Sequence, residues 1–130
     1  MLGVIKLKIR NERLVNSVGV LSKLTNLELP IKLSYAFSKN ITKIDAELKA
    51  YNVEKRKLLN KYGEKDNEGN LKQNEKGEVN ILDIENFNKE ISELLKCESE
   101  VDIHLIDLES INTDIKITPG ELMIIDYMFK

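Results

Sequence analysis

The chain has 130 residues, of which 42% are hydrophobic and 32% charged, and both values fit one soluble globular domain over residues 1–130. Its one cysteine, Cys97, cannot form an internal disulfide, which favours a reducing compartment and excludes a disulfide-stabilised secreted domain. No apolar stretch approaches the roughly 18 residues that a membrane-spanning helix needs, and no signal-peptide pattern opens the chain, so we expect a protein that stays where it is made.

The net charge of −2 is distributed unevenly along the chain. Residues 1–77 hold 16 basic and 9 acidic residues, whereas residues 78–130 hold 4 basic and 13 acidic ones. Such asymmetry is typical of proteins with a basic arm for nucleic acid or with an acidic tail. Neither part has a block of consecutive like charges, however, which favours two parts that lie side by side and neutralise each other.

The first predicted elements are a strand and a helix. Apolar and basic residues alternate at the start of the chain, which is the period of a half-buried strand: Ile5, Lys6, Leu7, Lys8, Ile9 and Arg10. A helix over residues 12–24 follows, with Asn11 as its N-cap. Gly19 inside that helix costs up to about 1 kcal/mol relative to alanine, so we expect close packing against a neighbouring helix there.

One long helix dominates the sequence. Pro30 suits its first turn, nothing interrupts the pattern before Tyr62, and Gly63 is a natural C-cap. Apolar residues recur at alternating spacings of four and three, with Lys55 as a polar interruption, which is the heptad pattern of a helix-packing or oligomer seam. We call this set the apolar seam: Phe37, Ile41, Ile44, Leu48, Tyr51, Leu58 and Tyr62. Either the shorter helices of the same chain cover it, or part of it pairs with another chain.

Shorter elements follow the long helix. A polar, glycine-containing stretch predicts an exposed hairpin near 70–81, and Asp83 caps a helix that reaches about Lys96. Alternation of apolar and polar residues predicts a strand near 101–106. A short helix with Thr118 as its N-cap and proline at its first position lies near the end of the chain.

The two predicted strands carry opposite charges on their outer faces. We therefore expect an antiparallel sheet in which the basic residues lie across from Glu100, Asp102 and His104, each pair contributing about 0.2–1 kcal/mol. The predicted fold class is α+β. It combines one long amphipathic helix, two or three shorter helices, the exposed hairpin, and a small sheet that pairs the N-terminal strand with the strand near 101–106.

A row of lysines runs along the long helix opposite the apolar seam. At roughly 100° per residue these lysines fall within about 20° of one line. The row could contact the phosphates of a nucleotide or nucleic acid, or an acidic protein surface, although Glu47 and Glu54 flank it. It could equally be the solvated face of an amphipathic helix. We call this set the lysine line: Lys32, Lys39, Lys43, Lys57 and Lys61.

The residue types that catalysis and metal binding require are sparse. His104 is the one histidine, and its strand face suits pairing with lysines, which favours a surface histidine over a catalytic one. One cysteine and one histidine cannot build a structural zinc site. The acidic turn at Asp66 lacks the spacing of a calcium loop, since Gly69 falls at position 4 instead of 6. No glycine-rich phosphate loop is present. We therefore expect no catalytic residues, no metal, no cofactor and no enzymatic activity.

Four stretches have a recognisable sequence: Leu-Pro-Ile-Lys-Leu-Ser-Tyr-Ala at 29–36, Ser-Lys-Asn at 38–40, Lys-Tyr-Gly-Glu-Lys-Asp-Asn-Glu-Gly at 61–69 and Phe-Asn-Lys-Glu at 87–90. With the order of elements around them, they resemble a family of small uncharacterised proteins encoded by phages and prophages of Gram-positive bacteria. The resemblance extends over nearly the whole chain. It implies a phage protein in the cytoplasm of the bacterial host, with association with the virion as an alternative.

Two hypotheses on function follow. The first is a non-enzymatic phage accessory or structural protein that acts through its long helix, as a homo-oligomer or on another phage or host protein. The second is an anti-defence protein that binds a host immune protein or sequesters an anionic nucleotide signal on the lysine line. Nucleic acid is a third class of partner, and no membrane partner is expected.

Overall fold

A computed structural model of the protein describes residues 3–111 and 115–130 and has the predicted α+β fold. Its elements are strand β1 (Val4–Arg10), helix α1 (Asn11–Thr25), helix α2 (Ile31–Tyr62), helix α3 (Ile84–Lys96), strand β2 (Glu98–His104) and helix α4 (Pro119–Ile124), with 3-10 helices at Leu108–Ser110 and Asp126–Met128. The prediction of one long helix is confirmed. The chain divides into two compact units, Met1–Leu48 with Glu98–Lys130, called the strand unit, and Lys49–Cys97, called the hairpin unit.

The sheet of the strand unit consists of β1 and β2, which pair antiparallel as predicted. The outer face has three rungs of opposite charge: Lys6 with Asp102, Lys8 with Glu100, and Arg10 with Glu98. The expectation that His104 lies across from a basic residue is wrong, since His104 lies opposite Val4. β2 begins at Glu98, earlier than the predicted start near 101, because Glu98 and Glu100 continue the alternation and each gains a basic partner.

The core of the strand unit is apolar and draws on four parts of the chain. Its fully buried apolar side chains come from α1, α2, β2 and residues 115–130, which we call the C-terminal segment. They are Leu14, Ile44, Ile103, Ile125 and Met128, each 0% exposed. Burying a side chain of this size stabilises the folded state by about 1.5–3 kcal/mol. These residues join helices to one face of the sheet, so the strand unit has the core that an independent fold needs.

Helix α2 lies along the edge of β2 that faces away from β1. Asn40 on α2 is 0% exposed, and its side chain makes two hydrogen bonds with the backbone of His104. The amide nitrogen of Asn40 donates to the His104 carbonyl at 3.0 Å, and the His104 N–H donates to the Asn40 carbonyl oxygen at 2.7 Å. Close by, the Lys43 ammonium lies 3.9 Å from the Asp102 carboxylate. An exposed sheet edge is a site of unwanted strand pairing, and α2 covers part of this one.

The C-terminal segment is attached to α1 by polar contacts. Arg13 forms an ion pair with Asp126 and lies over the ring of Tyr127, 4.8 Å from its centre. The hydroxyl groups of Ser17 and Tyr127 form a hydrogen bond of 2.8 Å. As predicted, Thr118 caps α4: its hydroxyl accepts from the backbone of Glu121, whose carboxylate accepts in return from the Thr118 N–H.

Tyr127 makes the stability of the strand unit sensitive to high pH. Burial raises the pKa of Tyr127, while the hydrogen bond with Ser17 and the charge of Arg13 lower it by less. A raised folded-state pKa means that the stabilisation is complete below the unfolded value of about 10 and is lost as the pH rises through the folded value. Urea unfolding should show Tyr127→Phe about 1 kcal/mol less stable than wild type at pH 8, with a smaller difference at pH 11. A difference of equal size at both pH values would contradict this.

Gly19 does not have the close neighbours expected from the sequence. It is exposed on α1, and a Cβ added to it would meet no atom within 4 Å. The prediction of tight helix packing at this position is therefore wrong. Gly19 lowers the stability of α1 without a compensating contact, because the buried side of the helix is formed by Leu14, Val20, Leu21 and Leu24 instead.

Candidate functional site

The hairpin unit turns the chain back after α2. α2 ends at Tyr62, whose carbonyl accepts a hydrogen bond of 2.9 Å from the Leu82 N–H, and a β-bridge joins Gly63 to Ile81. These two contacts bring together the ends of residues 63–83, which we call the connecting segment. α3 then begins, capped by the Asp83 side chain, as the sequence predicts.

Contacts between α2 and α3 begin at this end of the unit. The rings of Tyr62 and Phe87 meet edge to face, with centres 6.2 Å apart and an angle of 79° between their planes. One residue back along α2, the Lys61 ammonium lies 3.3 Å from the carboxylate of Glu90, one turn further along α3. Both contacts join the last turn of α2 to the first two turns of α3.

A small network of charge holds this end of the helix pair. A hydrogen bond from Tyr62 lowers the pKa of Glu90, and the contact with Lys61 lowers it further against partial desolvation. Hydrogen bonds with Tyr62 and Glu90 raise the pKa of Lys61. Lys61 is exposed, and Tyr62 and Glu90 are only half-buried, so the network orients the helices more than it stabilises them.

The connecting segment contains two turns of the same design. The Asp66 carboxylate accepts backbone hydrogen bonds of 2.9 and 3.0 Å from the second and fourth residues after it, and Asn74 accepts two in the same positions at 2.9 Å. Gly69 and Gly77 follow with φ of 82° and 76°, values that suit glycine. The second turn, closed by a bridge between residues 73 and 79, lies within the predicted hairpin near 70–81. The first is the turn expected at Asp66, and it lies before the bounds predicted for the hairpin.

Gly63 is needed for space and not for the left-handed C-cap that the sequence predicts. Its φ is not positive, and its N–H donates to the Leu59 carbonyl at 2.8 Å. A Cβ at this position would lie 2.5 Å from the Leu59 oxygen, 2.5 Å from Leu71 Cδ1 and 2.7 Å from Val79 Cγ1. The connecting segment therefore packs directly on the end of α2, and only glycine leaves room for it.

The apolar side chains of the hairpin unit are poorly covered. Of residues 49–97, all of which the structure describes, Tyr51 has the one side chain that is buried, and α3 has none. Ile84 is 56% exposed. The sequence nevertheless places the apolar residues of α3 on one side of that helix. We call the following set, half-buried apart from Ile84, the hairpin face: Leu58 and Tyr62 of α2 with Ile84, Phe87, Ile91 and Leu95 of α3.

The predicted apolar seam is covered along only part of its length. Phe37, Ile44, Leu48 and Tyr51 are buried, whereas Ile41, Leu58 and Tyr62 are half-buried, and Lys55 is exposed. Residues 52–57 of α2 are all exposed, so neither side of the helix is covered there. The seam prediction missed Asn40, which is fully buried. The spacing of Asn40, three residues after Phe37 and four before Ile44, places it on the apolar side of the helix. A buried polar residue was not expected on that side.

The lysine line is partly neutralised by acidic neighbours. In the strand unit, Lys43 lies 3.9 Å from Asp102, and Lys39 lies over the ring of Tyr35 at 5.4 Å from its centre. In the hairpin unit, Lys57 and Lys61 each form an ion pair, at 3.0 Å with Glu54 and at 3.3 Å with Glu90. Lys32 is exposed at the start of α2. Three of the five lysines therefore already have a carboxylate within reach.

The strand unit also contains an apolar recess of about 240 Å³. Its lining includes Leu24, Leu122, and the edge-to-face rings of Phe37 and Phe129, whose centres lie 6.1 Å apart. Small-molecule sites combine an apolar lining with a few polar groups that orient the ligand. The lining of this recess, within the described residues, consists of apolar residues alone, so we assign it no ligand.

Other kinds of site find little support in residues 3–111 and 115–130. Within these ranges no group of three or more His, Cys, Asp and Glu side chains is placed to hold a metal ion, and no helix has the length and apolar character needed to cross a membrane. His104 is half-buried on β2, where Asn40 binds its backbone. Comparison of the chain with models of protein families, with curated proteins and with solved structures gives no match.

Proposed function

We propose that this protein acts by binding another protein through the hairpin face. The observation that supports this most directly is α3, a strongly amphipathic helix with no buried residue. An amphipathic helix in a finished fold buries its apolar side against something. Within α3 the most central apolar side chain, Ile91, is only half-buried, and Ile84 is 56% exposed. A partner that covers this side would supply the missing burial.

The size of the hairpin unit supports the same proposal. A unit of about 50 residues buries a small share of its surface and depends on each apolar contact that it makes. Here the connecting segment is held by backbone and side-chain hydrogen bonds, while the apolar residues of both helices remain partly in water. Each Å² of apolar surface that a partner removes from water contributes about 25 cal/mol. Binding would therefore stabilise this unit as well as form the complex.

The biological setting is proposed from the resemblance to phage and prophage proteins. In that setting the protein is a non-enzymatic accessory or structural component in the bacterial host, and its partner is itself or another phage or host protein. The anti-defence alternative has two forms. Binding of a host immune protein would use the hairpin face in the same way. Sequestration of an anionic nucleotide finds less support, because Lys43, Lys57 and Lys61 each already have an acidic neighbour.

A matched pair of variants tests the hairpin face. Ile91→Glu places a charge in the middle of the apolar side of α3, whereas Lys89→Glu places the same residue on the exposed opposite side. Tagged protein is purified from host cells that express the phage genes, and bound proteins are identified by mass spectrometry. We expect wild type and Lys89→Glu to retain the same partner, untagged copies of this chain included, and Ile91→Glu to retain at least about tenfold less. Equal retention by all three would contradict the proposal.

A further inference from the structure

We infer that the hairpin face binds the hairpin face of a second copy of this chain, so that two hairpin units form a four-helix bundle around a two-fold axis. The inference rests on the proposed function, because it names the partner of the same surface. Helix pairs that are joined at one end and have apolar inner sides are the parts from which such bundles are built. A two-fold axis requires that each copy use the same surface, which must therefore complement itself.

The two helices of the hairpin unit are matched in length. α2 contributes residues 49–62 to this unit, and α3 extends over Ile84–Lys96, 13 residues. At about 1.5 Å per residue, both helices are roughly 20 Å long. Because Tyr62 contacts Phe87 at one end, their apolar sides begin at the same level. A second copy would cover the apolar side of α3 along its length and the last turn of α2.

The charges of the two helices are complementary between copies. The α2 portion has one acidic residue and five basic ones: Glu54 against Lys49, Lys55, Arg56, Lys57 and Lys61. α3 with its cap is acidic: Asp83, Glu85, Glu90 and Glu93 against Lys89 and Lys96. Packing α2 on α2 or α3 on α3 would bring like charges together, whereas α2 of one copy on α3 of the other brings opposite charges together. The Lys61–Glu90 pair shows this attraction within one copy.

Pairing of two copies would account for the position of Lys55, which is exposed in the single chain. Lys55 interrupts the apolar seam between Tyr51 and Leu58, and it is exposed although the heptad pattern directs it toward the apolar side. A single charged residue at a seam position sets the register and the number of helices in a bundle, at some cost in stability. The acidic α3 of a second copy would place carboxylates near the Lys55 ammonium.

The molecular mass of the wild-type protein in solution tests the inference. Light scattering should give twice the 14.9 kDa of one chain at micromolar concentrations. The midpoint of thermal unfolding should rise by about 3–5 °C for each tenfold increase in concentration, as it does when folding is coupled to dimer formation. Neither measurement needs a variant. A mass of one chain and a concentration-independent midpoint, over about 1–100 µM, would overturn the inference.

The same pair of variants separates this inference from the proposed function. Ile91→Glu should have the mass of one chain, whereas Lys89→Glu should remain a dimer, with circular dichroism reporting the helix content of both. A different outcome is a monomeric wild type that binds a protein other than this chain, which Ile91→Glu fails to retain. That result would overturn the inference of self-pairing, whereas the proposal that the hairpin face binds a protein would stand. If wild type and both variants are equally dimeric, the dimer uses another surface, and the inference is overturned as well.

Discussion

Replacing Asn40 with alanine is expected to lower the free energy of unfolding by about 2–4 kcal/mol, because two buried backbone groups lose their partner at once. The Asn40 side chain bonds both the N–H and the carbonyl of His104, at 2.7 and 3.0 Å, and is 0% exposed. Neither backbone group can turn to β1, which lies on the other side of β2. Urea unfolding at neutral pH, followed by circular dichroism, measures the loss.

Asn52→Ala is the control, since Asn52 is an exposed asparagine on the same helix. It should change stability by less than about 0.5 kcal/mol, or raise it slightly through the higher helix propensity of alanine. Equal effects of the two substitutions would show that the contact with His104 contributes nothing. Amide exchange at Asp102 and His104 in Asn40→Ala should increase with the loss of stability, because that edge of β2 would no longer be protected.

Asn40→Asp tests the donor side of the same contact. The ionised carboxylate at position 40 still accepts from the His104 N–H but faces the His104 carbonyl without a proton to donate. Protonation restores a donor, so the folded-state pKa of this carboxyl should exceed its unfolded value of about 3.9. The stability of the variant, relative to wild type, should therefore be highest below that value and fall as the pH rises through the folded pKa. A constant difference between pH 3 and pH 7 would contradict this.

Gly63→Ala is expected to destabilise the hairpin unit by about 1–3 kcal/mol, the usual cost of adding a methyl group to a space that has no room for it. The new Cβ would lie 2.5 Å from the Leu59 carbonyl oxygen and from Leu71 Cδ1. The side chain of Leu71 could move, but the Leu59 oxygen belongs to the last turn of α2 and cannot move without bending that turn. Hydrogen exchange of the amides at Glu64, Lys72 and Leu82 should accelerate.

Gly19→Ala provides the opposite result from the same chemical change. Gly19 lies inside α1, where a Cβ meets no atom within 4 Å, so alanine should raise the free energy of unfolding by about 0.5–1 kcal/mol. The two glycine-to-alanine substitutions are thus expected to change the free energy of unfolding in opposite directions. If Gly63→Ala were as well tolerated as Gly19→Ala, the connecting segment would not pack on the end of α2 as described.

Local patterns were sufficient to predict most elements of this protein, although α1 begins at Asn11 itself, with Arg10 instead of Asn11 at its N-cap. Period-two alternation identified β1, and the uninterrupted helical pattern identified α2 from the turn at Pro30 to Tyr62. Asp83 and Thr118 marked the starts of α3 and α4. These signals act within a few residues of one another, through hydrogen bonds of the helix ends and through the periods of the backbone, and need no information from the rest of the chain.

Side chains that act across long sequence distances could not be predicted in this way. In the sequence, Asn40 resembles any polar residue of an amphipathic helix. Its role depends on the backbone of His104 in β2, 64 positions further along the chain. Gly63 likewise resembles a C-cap in the sequence, whereas in the fold Leu71 and Val79 pack against it and leave no room for a side chain. In both cases the decisive contact joins residues that are far apart in sequence, and a single sequence does not specify such pairs.

The apolar seam shows the same division within one helix. The sequence by itself determined that α2 has one apolar side from Phe37 to Tyr62, because the spacing of residues on a helix fixes which of them share a face. Only the tertiary structure decided which part of that side is covered: Phe37, Ile44, Leu48 and Tyr51 are buried, while Leu58 and Tyr62 remain half-exposed with the apolar side of α3. The period of the helix determines which residues share a face, but their burial depends on what else the fold packs against that face. At the hairpin face the fold leaves the apolar side chains half-buried, and Ile84 exposed.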